Sequence, residues 1–140
     1  IWGPGWQQVV DQRNRDYVHA SSLHYSEWVK MYNAAKIIVI IHYQYGVIPC
    51  CQASPKVFEA LACRSFVISD SQKDVFRLFS SGKELVCFND VQDLKAKIDH
   101  FLSRDEERRM IAAAGYEEVL KKHTYRHRLQ EILDHIRRRA

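Results

Sequence analysis

The stretch from Lys36 to Asp70, KIIVIIHYQYGVIPCCQASPKVFEALACRSFVISD, leaves few folds open to the chain. It begins with the unbroken apolar run Ile37 to Ile41. Too short for a helix and β-branched throughout, the run predicts a strand buried on both faces. A loop with Gly46 and Pro49 follows, and then Ser54-Pro55. Serine at an N-cap followed by proline at the first helical position starts a helix, because the hydroxyl accepts an orphan amide and the proline has none to lose. Val57, Phe58, Leu61 and Ala62 give that helix an apolar stripe. A second short strand over 66–69 comes within a few residues. Strand, helix and strand in this order commit the chain to a parallel sheet.

Parallel sheets take ligands at the carboxyl ends of their strands, where helix N-termini bring unpaired N–H groups and the positive end of the dipole. Residues Ser54, Pro55, Lys56 and Val57 fall at such an end. Lys56 adds a positive charge, and Glu59 lies three residues further on the same helical surface. A cation beside a carboxylate suits a ligand with an anionic part and a polyol part, since a carboxylate accepts two hydrogen bonds from vicinal hydroxyls. The same spacing also describes an exposed Lys–Glu pair of little energy, and spacing alone favours that reading.

The motif SPKVFEALAC, followed by a hydrophobic strand ending in Ser69-Asp70, resembles the donor-binding segment of the group-1 glycosyltransferases. Within them it is closest to the branch of spore-maturation-protein-like transferases. IWGPGW at the start, YNAAKIIVIIH, GKELVCFNDVQDL and KHTYRHRLQEIL follow in the order that family has them, so the resemblance covers nearly the whole chain. It implies a GT-B enzyme, in which two Rossmann-like domains face a cleft. This chain, 1–140, would be a single partial domain, the nucleotide-sugar-binding half, with the N-terminal acceptor domain and the first part of this one missing. The resemblance gives Glu59 the ribose of a nucleotide-diphosphate sugar and places Lys56 where an arginine is usual. It also matches His42 to a histidine at the ligand edge, where a hydrogen-bonded structural role fits equally well. Two positions depart from the pattern. Arg64 stands where glycine would allow a left-handed cap at low cost. Cys51 replaces a second glutamate.

Composition bounds the remaining readings. One domain with a sizeable core suits 140 residues that are 46% hydrophobic. No apolar run reaches membrane-spanning length and no secretory signal opens the sequence. The four cysteines lack a zinc signature, and reduced thiols in a cytoplasmic protein are expected. The net charge of +4 is modest. Its basic clusters, Lys121 to Arg128 and Arg137 to Arg139, read as solvated helix ends and not as a nucleic-acid surface. His123 and His127 have a spacing that metal ligands use, but no third ligand accompanies them.

In chain order, IWGPGW reads as a rigid turn, 17–19 as an edge strand, and 22–35 as a helix packed through Leu23, Trp28, Met31 and Tyr32. Ser71 caps a helix that ends at Gly82, a strand covers 84–88, and Asp90, Ser103 and Thr124 each start a helix. The last of these carries Leu129, Ile132, Leu133 and Ile136 on one side. The fold class expected is α/β: a Rossmann-like parallel sheet with helices on both faces and a helical C-terminal tail. The exposed apolar stripe of that tail predicts self-association.

The functional expectation is a glycosyltransferase donor-binding domain. The amides of Ser54 to Val57 and the Lys56 side chain would hold the diphosphate by helix dipole and charge, with no metal required. A non-catalytic α/β scaffold is the alternative, since fold does not imply function.

Overall fold

The structure, a computed structural model, describes residues 5–19, 23–42 and 51–139. The chain divides into two compact units, Ile1–Ala34 and Ala35–Ala140. In the first, Gly5, with φ of 80°, opens the short helix α1 (Trp6–Val9). A 3-10 segment covers Gln12–Tyr17 where the Asp11 carboxylate accepts the N–H of Arg13, and no strand forms over 17–19. Helix α2 (Tyr25–Ala34) buries Tyr32 but leaves Trp28 38% exposed, so the face expected to pack is only partly covered.

The second unit runs β1 (Ile38–Ile40), α3 (Pro55–Ala62), β2 (Val67–Asp70), α4 (Lys73–Leu78), β3 (Val86–Phe88), α5 (Val91–Leu102), α6 (Asp105–Lys122) and α7 (Tyr125–Arg137). The loop with Gly46 and Pro49 lies outside the described residues. The three strands form a parallel sheet in the order β1-β2-β3, with Val39 opposite Ile68 and Ile68 opposite Val86. Alternation along the strands then sorts side chains between two faces. Phe66, Ile68, Val86 and Phe88 pack with Phe101 of α5 and with Ile111 and Ala112 of α6. Val67, Ser69 and Cys87 point to the other face, where α3 touches β1 and β2. Helices thus cover both faces, as the alternation of elements predicts.

The apolar run of β1 is not buried on both faces. Val39 is 39% exposed and Ile41, just past the strand, 71%. Among the described residues β1 is the edge of the sheet, and the α5–α6 layer packs against β2 and β3.

Helix α3 starts where the serine–proline pair places it. The Ser54 hydroxyl accepts the N–H of Lys56 (3.4 Å) and Pro55 stands at the first helical position. Val57, Ala60 and Leu61 are fully buried, while Ala62 is exposed; the stripe runs at i, i+3, i+4 from Val57 and excludes the next residue. At the other end Arg64 has φ of 59°. Its N–H donates to the Leu61 carbonyl (2.9 Å) and that of Ser65 to Ala60 (3.1 Å), the two bonds of a Schellman cap. The left-handed cap forms although the residue is arginine, at a cost of about 1 kcal/mol. The guanidinium lies 4.7 Å from the centre of the Tyr116 ring, which offsets part of that cost.

Helix α6 packs close against α3 and the turn before β3, and Gly115 permits it. A Cβ there would lie 2.3 Å from the Glu84 carbonyl oxygen and 2.7 Å from Leu61. Arg108, 5% exposed, donates to the Phe101 and Leu102 carbonyls and so closes the C-terminus of α5.

Three helix boundaries differ from expectation. Ser71 does not cap α4; its hydroxyl donates to Asn89 (2.8 Å) and its N–H to Phe88 (2.9 Å), so it ties two strand ends together. That helix ends at Leu78, and Gly82, with φ of 86°, turns the chain into β3. Ser103 closes α5 through its hydroxyl to His100 (3.0 Å) instead of starting α6. Asp90 and Thr124 cap α5 and α7 as predicted, with Thr124 held to His127 Nδ1 by its hydroxyl at 2.7 Å.

Candidate functional site

At the carboxyl ends of β1 and β2 a buried polar network fixes the start of α3. His42, two residues past β1, is 4% exposed. Its Nδ1 lies 2.5 Å from Asp70 Oδ1, and the same oxygen accepts the His42 backbone N–H at 3.1 Å. The ring Nε2 accepts the backbone N–H of Ser54 at 2.9 Å. An acceptor at Nε2 requires the proton at Nδ1, which donates to Asp70. Gln72 completes the cluster by donating to Asp70 Oδ2 at 2.7 Å. The ring nitrogens of His42 are therefore both occupied, and the residue acts as a clamp between the last residue of β2 and the N-cap of α3.

The amides at the helix start are likewise engaged. Ser54 N–H goes to His42, Lys56 N–H to the Ser54 hydroxyl, Val57 N–H to the Ser54 carbonyl (3.0 Å), and Pro55 has none. The side chain of Val57 is core. What this end of the helix presents outward is Pro55, Lys56 and Glu59, all exposed. Among the described residues no ion pair joins Lys56 to Glu59, so the weak surface pair that spacing alone favours does not form.

Glu59 instead lines a cavity of about 190 Å³ with Ala53, Pro55 and Phe58 on one side and His123, Tyr125 and Arg128, from the α6–α7 junction, on the other. A second hollow of about 540 Å³ shares Ala53, Phe58 and Arg128 and extends to Asp74, Arg77 and Leu78 of α4. The first alone is small for a ligand pocket, whereas the second falls within the range of about 300–1,000 Å³ that such pockets occupy. Phe58 and His123, which line the first hollow, pack with the buried Phe79 to form its wall: Phe58 and Phe79 lie 5.6 Å apart, and His123 packs edge-on to Phe79 at 5.0 Å.

The charges in this region are ordered by that wall. The His123 side chain is 7% exposed; its Nε2 donates to the Leu78 carbonyl (3.3 Å) and its Nδ1 accepts from Arg128 (2.7 Å). Burial, and then the Arg128 guanidinium, push its pKa below the ordinary histidine value. A protonated ring would face that guanidinium, which lines the cavity. Arg128 also meets Glu131 at 3.1 Å. At the C-terminal end of α3, burial and the nearby Glu59 carboxylate push the Cys63 thiol upward. Cys51, Cys63 and Cys87 are all free thiols.

His123, Tyr125 and Arg128, across the cavity from Glu59, are residues that sequence reasoning missed. It grouped Arg128 with a solvated basic end, and the available signal was the adjacency of His123, a histidine inside that basic run, to a capped helix start. The His123–His127 pair is not arranged as ligands, since His123 has both nitrogens engaged and His127 Nδ1 is held by Thr124. Among the described residues no group of three or more His, Cys, Asp and Glu side chains could hold a metal ion. Nor is any helix among them long and apolar enough to cross a membrane.

A family model described as glycosyl transferase-like matches residues 1–134. No curated protein and no solved structure matches the chain.

Proposed function

Since the chain belongs to the glycosyl transferase-like family, we propose that it is the donor-binding half of a cytoplasmic GT-B glycosyltransferase of the spore-maturation-like branch, and that the hollow beside α3 takes a nucleotide-diphosphate sugar. The observation that carries this reading is the placement of Glu59: an exposed carboxylate, not ion-paired to Lys56, on the wall of a cavity that also receives Arg128. Vicinal hydroxyls of a ribose satisfy both of its oxygens. This reading assigns the diphosphate to Arg128, which lines the cavity while also meeting His123 and Glu131, and to Lys56, exposed in the first turn of α3 and outside the cavity lining. The helix-start amides are committed within the chain, so they contribute through the dipole of α3 and not as direct donors.

Transfer breaks the bond between the anomeric carbon and the diphosphate oxygen, and the electron pair stays on the leaving nucleoside diphosphate. An acceptor oxygen forms the new bond to that carbon and loses its proton to a base that we place on the acceptor domain. The role this reading leaves to the chain is electrostatic: Lys56, Arg128 and the α3 dipole would stabilise the charge that develops on the leaving diphosphate. His42 serves as a positioning residue that locks α3 to the strand ends. The donor requires no metal in this reading, because side-chain cations and the dipole hold the diphosphate.

Calorimetric titration with UDP, GDP and their sugar conjugates tests the assignment. Glu59→Ala is expected to weaken nucleotide binding by about ten-fold or more, the worth of hydrogen bonds to a charged group, and Lys56→Ala to weaken diphosphates more than nucleosides. Nucleotide affinity unchanged by Glu59→Ala would remove the ribose assignment.

A further inference from the structure

The wall of the first hollow contains a buried titratable group whose protonation state its neighbours dictate. His123, at the α6–α7 junction, lines that hollow with a side chain only 7% exposed. A guanidinium can only donate, so the 2.7 Å contact between Arg128 Nη2 and His123 Nδ1 requires a lone pair on that ring nitrogen. A carbonyl can only accept, so the Leu78 oxygen, 3.3 Å from Nε2, takes the proton on the other side. The two partners together select one neutral tautomer. Arg128 is held at its other amino group by Glu131, whose carboxylate oxygens lie 3.1 and 3.2 Å from Nη1. The guanidinium is thus shared between a buried acceptor on the wall and an acid on the helix surface, 66% exposed. Arg128 lines both hollows, whereas Glu131 belongs to the lining of neither.

We propose that His123 is a positioning residue for Arg128 and couples donor binding to pH: the neutral ring holds the guanidinium at the two hollows, and protonation releases it toward Glu131. The proposal rests on the donor reading, in which Arg128 meets the diphosphate. Protonation removes the Nδ1 lone pair, so an acceptor becomes a second donor and two positive charges face each other at contact distance. The other groups around the ring are few. Helix α6 supplies Glu118, 4.0 Å from Nε2, and Lys122; α3 supplies the Phe58 ring and, across the hollow, Glu59; the Phe79 ring follows α4. Burial lowers the pKa of His123 most and Arg128 next, the Leu78 carbonyl and Glu118 act against them, Lys122 acts with them, and the net direction is downward. The switch therefore operates below the ordinary histidine value of about 6.5. A charged ring would by itself favour an anion in the cavity. Its Nε2 proton is spent on Leu78, however, whereas Arg128 offers phosphate oxygens direct charge-assisted hydrogen bonds, so losing Arg128 outweighs the added charge.

The test is calorimetric titration of the 140-residue chain with UDP-glucose and GDP-mannose between about pH 5.5 and about pH 8. A diphosphate esterified at both ends keeps its charge across that range, so a pH effect belongs to the protein. Affinity for the conjugate that binds is expected to be level above about pH 6.5 and to fall about ten-fold toward the acid end. Arg128→Gln is expected to bind about ten-fold more weakly at neutral pH and to show no acid fall. His123→Leu is expected to match it, and combining the two substitutions is expected to add nothing, because the histidine acts through the arginine. His123→Asn, whose amide oxygen can stand in for Nδ1 but does not titrate, is expected to recover part of the loss seen in His123→Leu, again with no acid fall. A wild-type affinity that does not change with pH, or an acid fall that persists in Arg128→Gln, overturns the proposal and leaves the donor reading standing. A His123→Leu loss that adds in full to that of Arg128→Gln does the same. Binding of neither conjugate at any pH overturns both.

Discussion

Helices α3 and α7 carry apolar stripes of the same kind, yet one is fully covered and the other bare. In α3, Val57, Ala60 and Leu61 have no exposure at all, because β1, β2 and α6 close over them. In α7, Leu129, Ile132, Leu133 and Ile136 keep between 47% and 60%. The difference shows that periodicity identifies the face that seeks a partner but not where the partner is. The two helices also meet their surroundings differently. The N-terminus of α3 is bolted to two strand ends by His42 and Asp70, whereas the N-terminal turn of α7 is held to the body by His123, Thr124 and Arg128 at its first residues.

The sharpest way to break this contrast is a matched pair of truncations. Leu61→Ala should destabilise the fold by about 2–5 kcal/mol, the transfer and cavity cost of a buried leucine. Ile132→Ala should change stability by no more than about 0.5 kcal/mol. Urea denaturation of both variants reads the difference, and similar midpoints would mean that α7 is buried in solution.

The next effect concerns the clamp. His42→Ala strips Asp70 of one partner and returns the Ser54 amide to an unpaired state, at an expected cost of about 2–3 kcal/mol. Amide hydrogen exchange should then speed up in the first turn of α3 before it does in α6. Uniform acceleration would assign His42 to general packing.

A smaller effect separates strain from contact at Arg64. Both Arg64→Ala and Arg64→Gly remove the stacking on Tyr116, but only glycine relieves the left-handed backbone. Thermal unfolding should therefore find the glycine variant more stable than the alanine variant by about 1 kcal/mol. Equal stabilities would place the backbone strain elsewhere.

The smallest effect is a pH dependence carried by His123. Its folded pKa lies below the ordinary value of 6.5, with burial as the main cause and Arg128 next. Between those two values the unfolded chain binds more protons than the folded one, so stability rises with pH there. The contribution is complete above about 6.5 and is lost as pH falls from there through the depressed folded pKa. Stability measured from neutral to mildly acid pH should fall less in His123→Asn than in the wild-type chain. Parallel curves would show that the ring titrates freely.

Much of the fold was legible because its signals are local. Ser54-Pro55 starts α3, Asp90 and Thr124 cap the helices that follow them, and the βαβ order of 36–70 dictates a parallel sheet. What escaped the sequence depends on distant neighbours. The exposure of Val39 follows from the place of β1 in the sheet, which no residue of the run encodes. The Ser71 hydroxyl was available for a cap but found Asn89, eighteen positions away. His42 was open to a ligand-edge or a hydrogen-bonded structural role, and its partner Asp70, 28 positions distant, could not be read from the run itself. At the cavity, Pro55 and Glu59 could be picked out from their helix position, but the opposite wall could not. Tyr125 and Arg128 reach the cavity only because Gly115 lets α6 press against α3 and brings the start of α7 alongside.

The central claim is that the cavity between α3 and the α6–α7 junction receives a nucleotide diphosphate. A two-dimensional amide spectrum titrated with UDP and with GDP tests it directly. The account predicts saturating shifts for one of them at residues 53–59 together with residues 123–128, attenuated in Glu59→Ala. Saturating shifts confined to other parts of the chain, or none at either wall in a folded sample, would contradict it.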